Sequence, residues 1–184
     1  MYEAFFYQLY NITMTSLPIM FYALFDFEHL KNTFMQNPYL YKIGMNSECF
    51  SNMIFIKWLA YAMFHSFLIY IFSIIGILSL GAVQADGKDI GFWAAGHLAY
   101  GGCVVVANIV ILHKFNNFTS FGEMLVGLMI LAYFVFLGLE SMSGWFPVVN
   151  HIFANMFSIF CVWASLMLTL GQASAGELAV RAWR

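Results

Sequence analysis

Residues 124–141 read MLVGLMILAYFVFLGLES, an eighteen-residue run with no charged side chain before Glu140. A helix of about 20 mostly apolar residues can cross the hydrocarbon core of a bilayer. The run is longer than the alternating segments of about 10 residues that form membrane β-barrels. Four other stretches have the same apolar character, at 4–25, 58–80, 92–112 and 148–170. The sequence therefore predicts an all-α polytopic membrane bundle with five transmembrane helices.

The composition of the whole chain agrees with a membrane protein. Of its 184 residues, 62% are hydrophobic and only 9% are charged, whereas soluble domains carry about 25% charged residues. This composition excludes a soluble globular enzyme. The formal net charge of −2 gives no basis for binding nucleic acid, which attracts strongly basic proteins. The expected partners are membrane lipids and other membrane subunits.

The basic residues predict the orientation of the helices. With five spans, the loop 26–57, the loop 113–122 and the C-terminal tail share one side of the membrane and hold six of the seven Lys and Arg residues. The opposite side holds only Lys88. Because cytoplasmic loops are enriched in Lys and Arg, we expect the N-terminus outside and the C-terminus inside. Residues 1–184 then form a single membrane domain.

The inner loop, 26–57, is too long to be a simple turn. It contains the candidate residues Asp26, Pro38 and Tyr41. We expect it to form short helices on the inner face, with a break at Asn37-Pro38, because the residue before a proline is disfavoured in a helix.

Polar residues concentrate in the first predicted span. On a regular helix, Asn11, Thr15 and Pro18 fall on one face, and Ser16 follows Thr15. Pro18 has no N–H group to donate to the carbonyl oxygen of Met14, so that oxygen is open near the middle of the span. Such a stripe can line a solute path. Alternatively, it only hydrogen-bonds this helix to its neighbours, as Ser, Thr and Asn do in many membrane proteins.

Three other polar residues lie inside predicted spans. His65 and Ser66 lie in the second span, where a histidine is either a functional group or a hydrogen-bonded residue of a helix interface. Asn108, in the third span, is expected to make an interhelical hydrogen bond. Glu140, near the outer end of the fourth span, is expected to reach interfacial water.

The third span also carries small residues at four-residue steps, which predicts a seam for close helix packing. They are Ala95, Ala99, Cys103 and Ala107. The chain has no phosphate-binding loop, no nucleophile motif and no cluster of metal ligands in its sequence. We therefore expect no catalytic residue, no metal and no cofactor.

The run LYNITMTSLP at 9–18, followed by Leu24-Phe25-Asp26, resembles the sixth transmembrane helix of the phospholipid-transporting P-type ATPases, the lipid flippases. The segment Asn37-Pro38-Tyr39-Leu40-Tyr41 looks like the loop that follows that helix. Lys57-Trp58 and His65-Ser66 look like the entry into the seventh helix. The resemblance implies that the chain corresponds to the last five helices of such an ATPase.

The resemblance also assigns roles to the first span. Asn11 and Thr15 match positions that line the lipid headgroup route of the family. Ion-pumping relatives carry an Asp where this chain has Thr15, so an uncharged residue here suits a lipid headgroup better than a cation. The phosphorylation motif Asp-Lys-Thr-Gly does not occur in the sequence, so the chain is not expected to be an enzyme on its own.

Three functions remain open. The chain is a non-catalytic structural or accessory subunit of a larger membrane complex with lipid contacts, or a fragment or split half of a working ATP-driven flippase. The third is a passive lipid-binding or scrambling protein that uses the Asn11 and Thr15 stripe. The compartment also stays open. A flippase implies the plasma membrane or secretory pathway, whereas a detached subunit is also compatible with the mitochondrial inner membrane.

Overall fold

The computed structural model of the protein describes residues 4–27, 29–46, 50–79, 92–116, 120–143, 152–157 and 160–182. Within these ranges the chain is helical and contains no β-strand. In chain order the helices are α1 Ala4–Leu9, α2 Ser16–Phe25, α3 Lys31–Gln36, α4 Tyr39–Met45, α5 Asn52–Ile74, α6 Phe92–Lys114, α7 Ser120–Ser143, α8 Ile152–Phe157 and α9 Phe160–Ala182. Wider π-helical turns cover Tyr10–Met14 and Ile75–Ser79.

The long apolar helices confirm the predicted helical membrane bundle. Among the described residues, the helical segments long and apolar enough to cross a membrane are Asn52–Ile77, Phe92–Lys114 and Ser120–Met142. A shorter apolar helix covers Phe160–Gly176.

The helix bounds differ from the predicted spans at several ends. Helix α5 begins at Asn52, inside the predicted loop 26–57, and α9 continues to Ala182, beyond the predicted end of the fifth span at residue 170. The short helix α8 precedes α9, while residues 148–151 and 158–159 lie outside the described residues.

The first predicted span is two helices joined by a π-helical turn. Between the turn and α2, Thr15 has φ −130° and ψ −22°, which interrupts the helix. A π-helical turn holds more residues than an α-helical turn, so residues four apart no longer share a face. Asn11 is exposed, whereas Thr15 is only 6% exposed and Pro18 is buried. The prediction of one continuous polar face over residues 11–18 is therefore wrong.

Helix α6 is the centre of the bundle and packs against α5, α7 and α9. One hydrophobic cluster joins α6 to the π-helical turn at Met14, to α7 at Tyr133 and to α9 at Val162. A second cluster joins α6 to Ile69 of α5 and Ala173 of α9. Because α6 is covered by neighbours on several sides, polar groups along it must find partners within the protein.

Two glycines of α6 leave no room for a side chain, because residues of neighbouring helices lie against them. A Cβ atom at Gly101 would lie 2.7 Å from Cε1 of Tyr133, and one at Gly102 would lie 2.9 Å from Cγ2 of Ile69. Of the predicted small-residue seam, Ala95 is buried, and the other three residues, Ala99, Cys103 and Ala107, are half-buried. Thus side chains of α5 and α7 contact α6 at glycines that are not part of the predicted seam.

The predicted inner loop contains α3 and α4, and Pro38 caps the start of α4, which confirms the expected break. Tyr41 of α4 is largely exposed, and its ring centroid lies 5.1 Å from that of Phe34 in α3. These aromatic rings hold the two short helices against each other.

The loops 26–57 and 113–122, which the basic residues place on one side of the membrane, contact each other at one end of the bundle. The backbone N–H of Asn116 donates to Oδ1 of Asp26 at 3.0 Å, and its side-chain amide donates to Oδ2 at 3.1 Å. Nearby in sequence, Nζ of Lys114 lies 4.7 Å from the ring centroid of Trp58. The end of α2, the start of α5 and the end of α6 therefore meet at one end of the bundle.

Candidate functional site

The break in the first helix is closed by a side chain of α6. The carbonyl oxygen of Met14, which Pro18 leaves without its usual helical donor, accepts a hydrogen bond from Nδ2 of Asn108 at 3.0 Å. The same nitrogen donates to the carbonyl oxygen of Val104 at 2.9 Å. The expected interhelical hydrogen bond of Asn108 is confirmed, and its acceptor is the oxygen that the sequence predicted to be open.

Two hydroxyl groups satisfy further carbonyl oxygens at the break. Oγ1 of Thr15 donates to the carbonyl oxygen of Tyr10 at 2.9 Å. Oγ of Ser16 donates to the carbonyl oxygen of Ile12. The polar groups at the break are neutral, and their hydrogen bonds are internal to the chain, so this arrangement stabilises a bend in the helix without an added charge.

A row of tyrosine rings lies beside the break. The ring centroids of Tyr10 and Tyr100 are 5.9 Å apart, and those of Tyr100 and Tyr133 are 5.6 Å apart. Tyr100 also donates to the sulfur of Met14 at 3.6 Å, and Tyr133 donates to the carbonyl oxygen of His97 at 2.6 Å. This row connects the π-helical turn to α6 and α7 through the interior of the bundle.

Sequence reasoning missed His97 and Tyr133, both of which are at most 1% exposed. His97 lies near a predicted span end, where a histidine is expected to meet interfacial water. Tyr133 is one of many aromatic residues in an apolar run. No local signal distinguishes either residue, because their burial depends on how α6 and α7 pack.

A groove of about 330 Å³ opens between α5 and α6 beside the break, and Tyr10 and Trp58 contribute to its lining. Four of its twelve lining residues are small and lie at four-residue spacing, two on each wall. They are Ala62 and Ser66 on α5, and Cys103 and Ala107 on α6. Half of the predicted small-residue seam therefore faces this groove.

His65 joins α5 to α9 and also lines the groove. It is 5% exposed, and its Nδ1 lies 2.6 Å from Nε2 of Gln172. Its ring centroid lies 4.2 Å from that of Tyr61 in an edge-to-face arrangement. These contacts agree with the alternative of a hydrogen-bonded interface histidine. The neighbouring Ser66 is exposed, and Gln172 was not identified from the sequence.

The structure also corrects the expected exposure of Glu140. Both of its carboxylate oxygens are buried in the bundle, so the prediction that they reach interfacial water is wrong. The adjacent Ser141 accepts a hydrogen bond from the backbone N–H of Phe153 at 3.2 Å, which joins α7 to α8. Within the described ranges, no three His, Cys, Asp or Glu side chains lie close enough together to hold a metal ion.

The chain matches the family described as phospholipid-translocating P-type ATPase C-terminal over residues 1–184. It belongs to that family. The chain therefore corresponds to the C-terminal membrane region of these ATPases, as the resemblance at residues 9–66 implied. Its helices are those of an integral membrane protein.

Several phospholipid-transporting ATPases are similar to the chain. One from Schizosaccharomyces pombe is 24% identical over 91% of the chain and 14% of its own length. Phospholipid-transporting ATPase IH of Homo sapiens is 24% identical over 91% of the chain and 15% of its own length. Phospholipid-transporting ATPase 6 of Arabidopsis thaliana is 25% identical over 73% of the chain. The chain spans about one seventh of the length of the first two relatives.

Proposed function

We propose that the chain is a non-catalytic component of the membrane part of a larger assembly, to which it contributes helices and lipid contacts. The observation that carries this proposal is the groove between α5 and α6, with small residues on both walls. Small side chains at four-residue spacing let helix backbones approach closely in a membrane. The occupant that we propose is a transmembrane helix outside residues 1–184 that packs against α5 and α6 and places a side chain in the groove.

The assembly has two forms that the groove supports equally. In the first, the chain is a structural or accessory subunit of a membrane complex. In the second, it is the C-terminal half of the membrane domain of an ATP-driven phospholipid flippase, and its relatives are named phospholipid-transporting ATPases. The hydrogen bonds described at the Met14 break come from neutral groups, so the break supplies no charged ligand for a cation in either form.

Cross-linking from the groove tests the proposal. Cys103 lines the groove and is half-buried, so a photo-reactive thiol reagent can be attached there after the other cysteines are replaced by Ala. We expect irradiation in native membranes to capture a transmembrane peptide outside residues 1–184. Its identification by mass spectrometry separates the two forms. A polypeptide with the phosphorylatable Asp indicates a flippase, and a membrane subunit without one indicates an accessory role.

A matched control places the reagent on a lipid-facing position. Leu131 of α7 is 56% exposed, and a Leu131→Cys variant should cross-link to lipid. If Cys103 also captures only lipid, the proposed assembly is contradicted. Ala107→Trp adds a second check, because a large side chain in the groove should reduce the yield of the peptide cross-link from Cys103.

A further inference from the structure

We propose that Asn108 is a positioning residue that holds the first helix in its broken form by supplying the hydrogen bond that Pro18 cannot. This role is independent of the assembly in which the chain works. It rests on the meeting of three groups in the interior of the bundle: the ring of Pro18, the carbonyl oxygen of Met14 and the side-chain amide of Asn108.

The need for an outside donor follows from the local sequence. In an α-helix the carbonyl oxygen of residue 14 accepts from the N–H of residue 18, which is a proline here. Met14 is 0% exposed, so water does not reach it. A buried carbonyl oxygen without a donor is strongly unfavourable inside a membrane. The broken helix is therefore stable only if another part of the protein supplies a donor.

The geometry of Asn108 fits this need. It is 0% exposed, and its amide nitrogen lies 3.0 Å from the oxygen of Met14 and 2.9 Å from that of Val104. Exchanging the amide nitrogen and oxygen would place Oδ1 against two carbonyl oxygens, so the orientation is determined by its surroundings. Oδ1 has no hydrogen-bond partner among the described residues. The side chain therefore acts through its two N–H donors.

Asn108 lies on α6, so the hydrogen bond that satisfies the Met14 oxygen also joins the first helix to α6. Met14 is also tied to α6 through Tyr100, whose hydroxyl lies 3.6 Å from the Met14 sulfur. The main chain and side chain of Met14 are thus both bonded to α6. This double attachment holds the break between α1 and α2 against α6.

The pairing makes a specific prediction about energetic coupling. Asn108→Leu in the wild-type background leaves the Met14 oxygen without a donor. In a Pro18→Ala background, residue 18 regains an N–H that can reach the same oxygen, and Asn108 becomes less necessary. Two residues that serve one acceptor should therefore show non-additive effects in a double-mutant cycle.

The cycle is measured on the purified 184-residue chain by reversible unfolding in mixed micelles. We expect Asn108→Leu to lower the folded-to-unfolded ratio about tenfold or more, and only about threefold or less when Pro18 is Ala. Ser73→Ala is the matched control, because Ser73 is 2% exposed and its hydroxyl has no partner within the described ranges. It should leave the ratio unchanged or raise it, because alanine removes a buried hydroxyl that has no partner there. Equal effects of Asn108→Leu in both backgrounds would overturn the proposal.

Asn108→Asp supplies a second readout and replaces Asn108→Leu in the cycle if the leucine variant does not fold. The ionised aspartate has no N–H to donate, and its oxygens would face the carbonyl oxygens of Met14 and Val104. We expect its stability to rise as the pH falls, since only the protonated side chain can donate. A wild-type chain should lack this added acid stabilisation. An Asp variant with the wild-type pH profile would refute the donor role of Asn108.

Discussion

Replacement of Gly101 by alanine tests the contact between Gly101 of α6 and Tyr133 of α7. The added Cβ would lie 2.7 Å from Cε1 of Tyr133 and 3.0 Å from both Cζ and the hydroxyl oxygen. Tyr133 is 1% exposed and donates to the carbonyl oxygen of His97 at 2.6 Å. Since contacts below 3.0 Å are not tolerated, either the tyrosine ring or one helix must move.

The size of the effect follows from three contributions. Overpacking of a well-packed core costs about 1–3 kcal/mol. Displacing the Tyr133 hydroxyl removes its hydrogen bond to the carbonyl oxygen of His97 and leaves a buried donor without that partner, which costs about 1–3 kcal/mol. Alanine gains about 1 kcal/mol over glycine in a helix. We therefore expect Gly101→Ala to lower the free energy of unfolding by about 1–5 kcal/mol.

The assay is reversible unfolding of the purified chain in mixed micelles, followed by far-ultraviolet circular dichroism. Gly127→Ala is the matched control, because a Cβ at this glycine of α7 meets no atom within 4 Å. It should be neutral or stabilise by up to about 1 kcal/mol. In a Tyr133→Leu background, Gly101→Ala should cost less, since the ring that it meets is gone. A Gly101→Ala chain as stable as the Gly127→Ala chain would refute the packing described for α6 and α7.

Three further predictions concern the loops, the α5–α9 contact and lipid movement. Asp26→Ala should remove both hydrogen bonds from Asn116, cost about 1–2 kcal/mol and speed proteolysis after α2, and unchanged cleavage would argue against this contact. His65→Leu and Gln172→Leu should each lower the free energy of unfolding, and the double variant should lose less than the sum of the two single losses. Strict additivity of these losses would contradict the pairing of the two residues. Because Thr15 is buried and does not continue an exposed polar stripe, the purified chain in liposomes should equilibrate labelled lipid no faster than empty liposomes. Rapid equilibration would support the scrambling alternative instead.

The features that sequence reasoning found depend on local chemistry. Apolar runs such as 124–141 predict membrane helices because their length and composition leave few other stable arrangements. Pro18 predicts an open oxygen at Met14 because a proline nitrogen carries no hydrogen, whatever surrounds it. Pro38 predicts a break between two helices because the residue before a proline is disfavoured in a helix. The family resemblance over residues 9–66 also follows from the order of residues alone.

The features that it missed depend on which helices meet. The exposure of Asn11 and the burial of Thr15 follow from the π-helical turn, which a regular helical repeat does not anticipate. Gln172 and His65 are 107 positions apart in the chain, and neither carries a local signal for the other. Gly101 is decisive only because the Tyr133 ring lies against it.

The sequence by itself determined that the chain is a helical membrane protein of the phospholipid-translocating P-type ATPase family and that the Met14 oxygen requires an unusual donor. Only the tertiary structure decided that Asn108 is that donor and that half of the small-residue seam faces an open groove. The physical reason is that backbone hydrogen bonding and apolar length are properties of short segments. The choice of a partner is a property of the packed bundle, where burial makes each polar group depend on its neighbours.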